Sequence, residues 1–397
     1  MIKGEKIRLN IYNILFSIYK FNRNLNSPDI QKLISKQNKD DIPFLFNVTL
    51  NSMRFNLHSS KIINKYIKKK LKDKEKILLI SAITQIVFLD FKDYAVINCS
   101  VDISKKLNLY PGLINSVLKK ISLQKNILKD IPINFKDLPH WLQNETKSLS
   151  LIDKDKFING FYKEPDLHIV FKDSKRILKF KDEIELSSKN SGFLKNKKKI
   201  QDISLYKKGD WWVQDFSSSL PLLNIDKKLI NKENIDLCSA PGGKAFQILS
   251  KNIKMTLNDK SKKRLKILKD NLKRLMFSAN ISNENVLKIS TKNKYDFIIL
   301  DCPCSSIGTI RKNPEIFFKN KNPDIKILTD LQSKMLQKAS TLLKNDGIIL
   351  YMVCSFLTAE TTDQIKNFLS RNNNFRVEDY FNKTKDHEID MLIKKNY

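Results

Sequence analysis

Two cysteines in the C-terminal half are the residues best placed to do chemistry: Cys304 in Leu300-Asp301-Cys302-Pro303-Cys304-Ser305 and Cys354 in Leu350-Tyr351-Met352-Val353-Cys354-Ser355. Each follows an apolar run that reads as a buried strand, so both thiols sit where an open α/β sheet presents its carboxyl edge. A thiolate there is a soft, strong nucleophile. The opposing reading makes both of them small buried hydrophobes, the ordinary fate of a single free Cys. It loses ground because both thiols close a strand and precede a polar Ser. The placement suggests a working pair.

A third feature lies upstream, in Asp236-Leu237-Cys238-Ser239-Ala240-Pro241-Gly242-Gly243-Lys244. Between a strand and a helix, Gly lets backbone approach a ligand without Cβ atoms in the way. Asp259, at the end of the next strand, can accept hydrogen bonds from both hydroxyls of a ribose, although it could also cap the helix that Lys260 opens. Asp301 carries the same alternative, a helix or turn cap. The turn is neither Gly-x-Gly-x-x-Gly nor a phosphate loop, so a nucleoside ligand such as S-adenosylmethionine fits better than a dinucleotide or triphosphate. The expected cofactor contacts are Cys238, Ser239, Ala240, Pro241, Gly242, Gly243, Lys244, Asp259 and Asp301. Of these, Cys238 is read as packing and not reacting, as is Cys302.

The elements that must hold these residues alternate. Strands are expected over 234–238, 253–257, 297–300 and 348–351. A helix is expected from near Lys244 and another over 260–276, with Leu265, Leu268, Leu272 and Leu275 on one stripe. That alternation predicts a doubly wound, mostly parallel, Rossmann-like sheet in a domain over 226–397. Residues 1–128 read as an all-α bundle: Ile11, Ile14, Leu15, Ile18 and Tyr19 lay one apolar stripe, and the pattern repeats at Leu79, Ile83, Ile86, Val87 and at Leu113, Ile114, Val117, Leu118, Ile121. A helical connector over 129–160 leads to a small α+β module over 161–225. There Leu167, Ile169, Phe171 and then Ile177, Leu178, Phe180 alternate like strands. The module's Lys195-Asn196-Lys197-Lys198-Lys199 and Trp211-Trp212 suit an RNA strand; a solvated loop and a core Trp pair are the alternative.

Composition sets bounds. The formal net charge of +31 on 397 residues attracts polyanions, which makes nucleic acid the expected partner, although AT-rich coding would also enrich Lys. No stretch approaches the ~18 apolar residues of a membrane span, and no secretory signal is visible at Met1-Ile2-Lys3-Gly4-Glu5-Lys6. Five Cys without framework spacing fit free thiols in a reducing cytoplasm. His58, His140, His168 and His387 lack metal-ligand spacing, so no metal is expected. A monomer is expected.

The stretch 234–381 resembles RNA 5-methylcytosine methyltransferases. Pro241-Gly242-Gly243-Lys244 looks like their cofactor loop, Asp301-Cys302-Pro303-Cys304-Ser305 like their fourth motif and Val353-Cys354-Ser355 like their sixth. Residues 83–90, Tyr94-Ala95-Val96-Ile97-Asn98 and 114–120 resemble the RNA-binding NusB-type antitermination domain. Together these are similar to the ribosomal RNA small subunit methyltransferase B family, which implies methylation of a cytosine in 16S ribosomal RNA. The resemblance implies that Cys354 attacks C6, that Asp301 hydrogen-bonds N3 and that Cys304 helps remove the C5 proton so that Cys354 can leave. Lys244 would orient the cofactor or the catalytic groups.

Several positions depart from that family. Its acid after the third strand is missing from 285–290, where Asn285 could substitute; Val353 replaces the usual Thr; 357–360 lacks Pro-Glu. Residues 390–394 lack a Gly and an aromatic pair, and Leu167-His168-Ile169-Val170 replaces an Arg-containing RNA contact. Two rivals stay open. One is the same chemistry on tRNA or another rRNA site; the other is an RNA-binding assembly factor with a relic methyltransferase half.

Overall fold

The computed structural model describes residues 3–180, 182–196, 200–223, 225, 232–290, 292 and 294–378. The chain divides into two compact units, Met1–Glu164 with Ile307–Pro323, and Pro165–Ser306 with Asp324–Tyr397.

The first unit is helical. Its main helices are Lys3–Phe21, Pro28–Ser35, Ile42–Arg54, Asn56–Tyr66, Asp73–Ile83, Asp93–Lys106 and Pro111–Leu123. The stripe legible in sequence is the core: Ile11, Ile14, Leu15 and Ile18 are sealed from solvent and pack with Ile83, Ile86, Val117 and Leu118. A segment from far downstream joins them. Phe318, in the short helix Glu315–Phe318, is buried in this same core. Its segment is held by Asn56 Nδ2 donating to the Phe317 carbonyl at 3.0 Å and Arg54 Nη2 donating to the Arg311 carbonyl at 3.1 Å. Buried carbonyls need such donors, because an unpaired polar group costs about 1–3 kcal/mol.

The second unit carries two sheets. In the first, β1 (His168–Phe171), β2 (Ile184–Ser188), β3 (Ser191–Leu194) and β4 (Trp211–Val213) pair antiparallel in the order β2-β3-β1-β4. In the second, β5 (Asn234–Asp236), β6 (Thr256–Asn258), β7 (Asn280–Ser282), β8 (Tyr295–Asp301) and β9 (Leu343–Met352) run parallel in the order β7-β6-β5-β8-β9. The order reverses between β5 and β8, the kind of switch point where such sheets open a crevice at their carboxyl ends. The expected doubly wound parallel sheet is therefore present. The helices Gly243–Leu249, Lys262–Leu275, Ile325–Leu342 and Thr362–Leu369 connect and cover it.

Some expectations shift. The strand placed at 253–257 is Thr256–Asn258, with Ile253 and Met255 buried in the approach to it. The alternation at 177–180 is helical, as the turns Ser174–Ile177 and Leu178–Phe180, because Asp173 Oδ1 accepts from the Lys175 and Arg176 amides and starts a helix. The Trp pair is core and not an RNA platform. Trp211 is sealed against Phe171 and Phe180, and Trp212 packs edge-on to Phe246 and Phe277 while its Nε1 donates to Gln214 Oε1 at 2.8 Å. His168 is buried too, with Nδ1 2.7 Å from the Gln214 carbonyl and Nε2 2.7 Å from Ser187 Oγ, so it offers nothing to RNA. Lys195 and Asn196 are exposed, whereas 197–199 and 390–394 lie outside the described residues.

Trp212→Ala is expected to destabilise the second unit by about 3–5 kcal/mol, the usual loss for a buried large aromatic. A lowered urea midpoint for that unit checks this; an unchanged midpoint would show that the ring is not part of the core.

Candidate active site

Parallel pairing of β8 with β9 sets Leu300 beside Tyr351 and Asp301 beside Met352, so the loops bearing the two cysteines leave the sheet side by side. The Cys302 amide donates to the Met352 carbonyl at 2.9 Å, and the Cys354 amide donates to Cys304 Sγ at 3.2 Å. The two thiols also share a hydrogen bond. That bond, with the amides of Ser306 and Cys354, pulls the Cys304 pKa below its ordinary value despite burial. Cys354 moves the opposite way, raised by its hydrogen bond to Cys304, by burial and by the Asp301 carboxylate. Ionisation is thus favoured at Cys304 and resisted at Cys354.

Lys244 joins them from the other side. It stands in the first turn of Gly243–Leu249, and its Nζ lies 2.7 Å from Asp301 Oδ2. Burial works against the ammonium, but the Asp301 carboxylate outweighs it and the Lys244 pKa is raised. Asp301 is thus an ion-pair partner and not a cap. Lys244, Asp301, Cys304 and Cys354 meet in one place. Cys302 and Cys238 are not reactive thiols: burial pushes Cys302 well up and Cys238 to about 12.

The loop after β5 is fixed by its own packing. Gly242 has φ +117°, and a Cβ there would lie 2.1 Å from Phe246 Cζ and 2.7 Å from Leu268 Cδ1. The need for glycine at this position is conformational and steric. Ser239 donates through N and Oγ to the Asn258 carbonyl at 2.8 and 3.0 Å, tying the β5 loop to the end of β6. Ala240 and Ser239 are buried and Pro241 is exposed.

Asp259 is 2% exposed, and its Oδ1 accepts from the Ser261 amide at 2.8 Å. The helix cap is Ser261, whose side chain accepts from the Arg264 amide, and the helix is Lys262–Leu275 rather than 260–276. Asp259 Oδ2 has no hydrogen bond, only Arg264 Nη1 at 3.3 Å. An orphaned buried carboxylate oxygen at the end of the second parallel strand fits a ribose diol, so the residues present suit S-adenosylmethionine.

Several residues here carried no assignment from sequence. Asp236, wholly buried at the end of β5, is pushed to about 7 by burial and by the neighbouring Asp301. Its position closing a strand before the Gly turn was the available signal. Arg264 donates to the Ala240 carbonyl as well as pairing with Asp259. An acid does follow the third parallel strand, one residue upstream of the stretch that lacked one: Glu284, exposed, accepting from Ser282 Oγ at 2.8 Å. Asn285 instead caps the turn Val286–Lys288 through the Leu287 amide. Asn258 and Glu360, both sealed from solvent, bind the loops together and gave no signal in sequence.

Among the described residues no helix is long and apolar enough to cross a membrane, and no cluster of three His, Cys, Asp or Glu could hold a metal.

Comparison with known proteins follows this division. Residues 5–123 match the NusB family, and residues 226–394 match the family 16S rRNA methyltransferase RsmB/F. Ribosomal RNA small subunit methyltransferase B of Photorhabdus laumondii is 28% identical over 88% of this chain and 86% of its own length. The protein of that name from Shewanella oneidensis is 28% identical over 82% of this chain and 78% of its own. In Escherichia fergusonii it reaches 40% identity over 36% of this chain and 34% of its own. In fold, the crystal structure of PH0851 matches with TM-score 0.67 at 20% identity, covering 94% of this chain and 90% of that one. NSun6 of Pyrococcus horikoshii, solved with SFG, matches with TM-score 0.51 at 15% identity, covering 59% of this chain and 88% of that one. The chain thus joins a match to the NusB family over 5–123 to a match to the 16S rRNA methyltransferase RsmB/F family over 226–394, on an S-adenosylmethionine-dependent methyltransferase fold.

Proposed function

We propose that the protein methylates C5 of a cytosine in 16S ribosomal RNA in the cytoplasm, with Cys354 bonding transiently to C6 and Cys304 assisting release. The observation that carries this reading is the pair of thiols on loops after adjacent parallel strands, the Cys354 amide donating to Cys304 Sγ, beside the Lys244–Asp301 ion pair.

Cytosine C5 is a poor nucleophile until a nucleophile adds to C6, and a thiolate is suited to that addition. Attack begins with loss of the Cys354 thiol proton to Cys304 acting as thiolate, which passes it to solvent. Cys354 Sγ then bonds to C6, and the electron pair displaced from the C5–C6 bond makes C5 nucleophilic. N3 of the activated ring takes a proton from solvent, returned when the ring double bond re-forms, and the Asp301 carboxylate, held in place by Lys244, accepts the N3–H hydrogen bond. S-adenosylmethionine, held by the β5 loop and by Asp259, supplies the electrophilic methyl group that C5 accepts. Cys304, again a thiolate, takes the proton from C5, and the C–S bond to Cys354 breaks as the ring double bond re-forms. The relatives' shared name, ribosomal RNA small subunit methyltransferase B, supports the substrate.

The direct test is incubation with labelled S-adenosylmethionine and protein-free small-subunit ribosomal RNA, with modified bases mapped by mass spectrometry. One 5-methylcytosine is expected. Label on transfer RNA alone would move the substrate, and failure to bind S-adenosylmethionine would overturn the reading.

The thiol roles predict opposite variants. Cys354→Ala abolishes methylation and covalent capture, whereas Cys304→Ala lets the protein–RNA adduct form and persist on a denaturing gel. A stable adduct with Cys354→Ala and none with Cys304→Ala would reverse the pair.

A pH prediction follows from the same bond. A thiol whose pKa is lowered stays thiolate below the ordinary 9.0, so iodoacetamide labelling of Cys304 should have its midpoint below that pH. Cys354→Ala removes the first-ranking cause of the shift, and the Cys304 midpoint should rise. Peptide mapping of the labelled thiol checks both; a midpoint that stays put would rule out the shared proton.

A further inference from the structure

The two cysteine loops are joined a second time, behind the thiols, through one buried carboxylate. Glu360 closes the turn Thr358–Glu360 and has no exposed surface. Its Oε1 accepts from the Ser305 amide at 2.8 Å and from Gln332 Nε2 at 3.0 Å, and its Oε2 accepts from Ser305 Oγ at 2.5 Å. Its carbonyl accepts from Tyr351 OH at 2.9 Å. Gln332, also sealed from solvent, donates to the Pro303 carbonyl at 3.0 Å. Ser305 Oγ in turn lies 3.3 Å from Ser355 Oγ, which accepts from the Leu357 amide at 3.2 Å.

These contacts share a geometry. Pro303 and Ser305 flank Cys304, Ser355 follows Cys354, and Tyr351 lies on the strand that leads to Cys354. None of the hydrogen bonds of Glu360 reaches a thiol, yet both thiol loops hang from it. Among the described residues no cation lies within ion-pair range of its carboxylate. A buried carboxylate without a counter-ion is expensive, and what holds it is hydrogen bonds from these loops.

We propose that Glu360 is the positioning residue of the thiol pair: it sets the separation and facing of Cys304 and Cys354. This rests on the catalytic pairing proposed above. A misplacement of about 1 Å in a reacting group can cost ~100-fold in rate, which is the size of effect a positioning residue should have.

Glu360→Ala strips three acceptor contacts and is expected to lower kcat for methylation about 100-fold, with the KM and Kd for S-adenosylmethionine unchanged, since its loop follows other strands. Glu360→Gln can keep the network, with its amide oxygen accepting from the Ser305 amide and Gln332 and its amide nitrogen donating to Ser305 Oγ. It should therefore retain activity within about 10-fold. Cys304 alkylation supplies a readout that needs no RNA: its pH midpoint should rise in Glu360→Ala and stay near wild type in Glu360→Gln. Ser305→Ala, which removes the hydroxyl link, should shift the midpoint in the same direction by less, and serves if Glu360→Ala does not fold. An unshifted midpoint in both Glu360→Ala and Ser305→Ala would overturn the proposal. So would a full kcat in Glu360→Ala. A wild-type protein that methylates no RNA would instead sink the catalytic reading and leave the alkylation test standing.

Discussion

Everything at this site depends on the register between β8 and β9. Parallel neighbours leave a sheet at the same edge, and here the last pairs are Leu300 with Tyr351 and Asp301 with Met352. The next donors past the ladder are the Cys302 amide, which still finds the Met352 carbonyl, and the Cys354 amide, which finds Cys304 Sγ. A sulfur thus accepts where the sheet has run out of carbonyls. Because side chains alternate across a strand, a slip of one residue would swap the faces on which the slipped strand's side chains pack and separate the cysteines. Leu300, Ile299 and Ile298, all sealed from solvent, make that slip costly, so the core of the sheet enforces the spacing of the thiols.

Charge around the thiols is arranged to resist a thiolate on Cys354. Asp236, Asp259 and Asp301 crowd the carboxyl ends of the strands, with Lys244 and Arg264 as the cations in ion-pair contact. Burial first, and then this surplus of acid, raises Asp236 to about 7 and Cys238 to about 12. The same surplus favours a ligand that carries positive charge, as a sulfonium does. Cys304 escapes the trend only through hydrogen bonds, from Cys354 and from the amides of Ser306 and Cys354. The pair must therefore be treated as one acid.

The fold was legible where side-chain period decided it. The stripe at Ile11, Ile14, Leu15 and Ile18 and the apolar runs before Cys304 and Cys354 became core and strands because burial alone dictates such patterns. Reading failed where a local hydrogen bond outcompeted period. Asp173 turned an apparent strand at 177–180 into helical turns, and Ser261 moved a helix start past Asp259. The Trp pair was ambiguous because burial of an aromatic depends on long-range partners, here Phe246 and Phe277 for Trp212. Within the site, the residues proposed for catalysis stood in short motifs. Those that hold the motifs together, Asn258 and Glu360, did not, since their partners come from loops far apart in sequence.

These two hubs also explain why the departures from the family pattern leave the geometry whole. Asn258 donates to the carbonyls of Leu237 and Glu284 and accepts from the Glu284 amide, so the loops after β5, β6 and β7 are tied through backbone atoms. Glu360 does the same for the loops after β8 and β9 through the Ser305 amide, the Pro303 carbonyl by way of Gln332, and Ser305 Oγ. The altered positions contribute differently. Val353 packs against the apolar cluster on one face of the sheet, Leu357 offers its amide to Ser355, and Ala359 offers its carbonyl to Gln364. A backbone donor or acceptor survives a change of side chain. The lost Pro-Glu pair at 358–359 removes no partner of either thiol, provided that Glu360 itself stays.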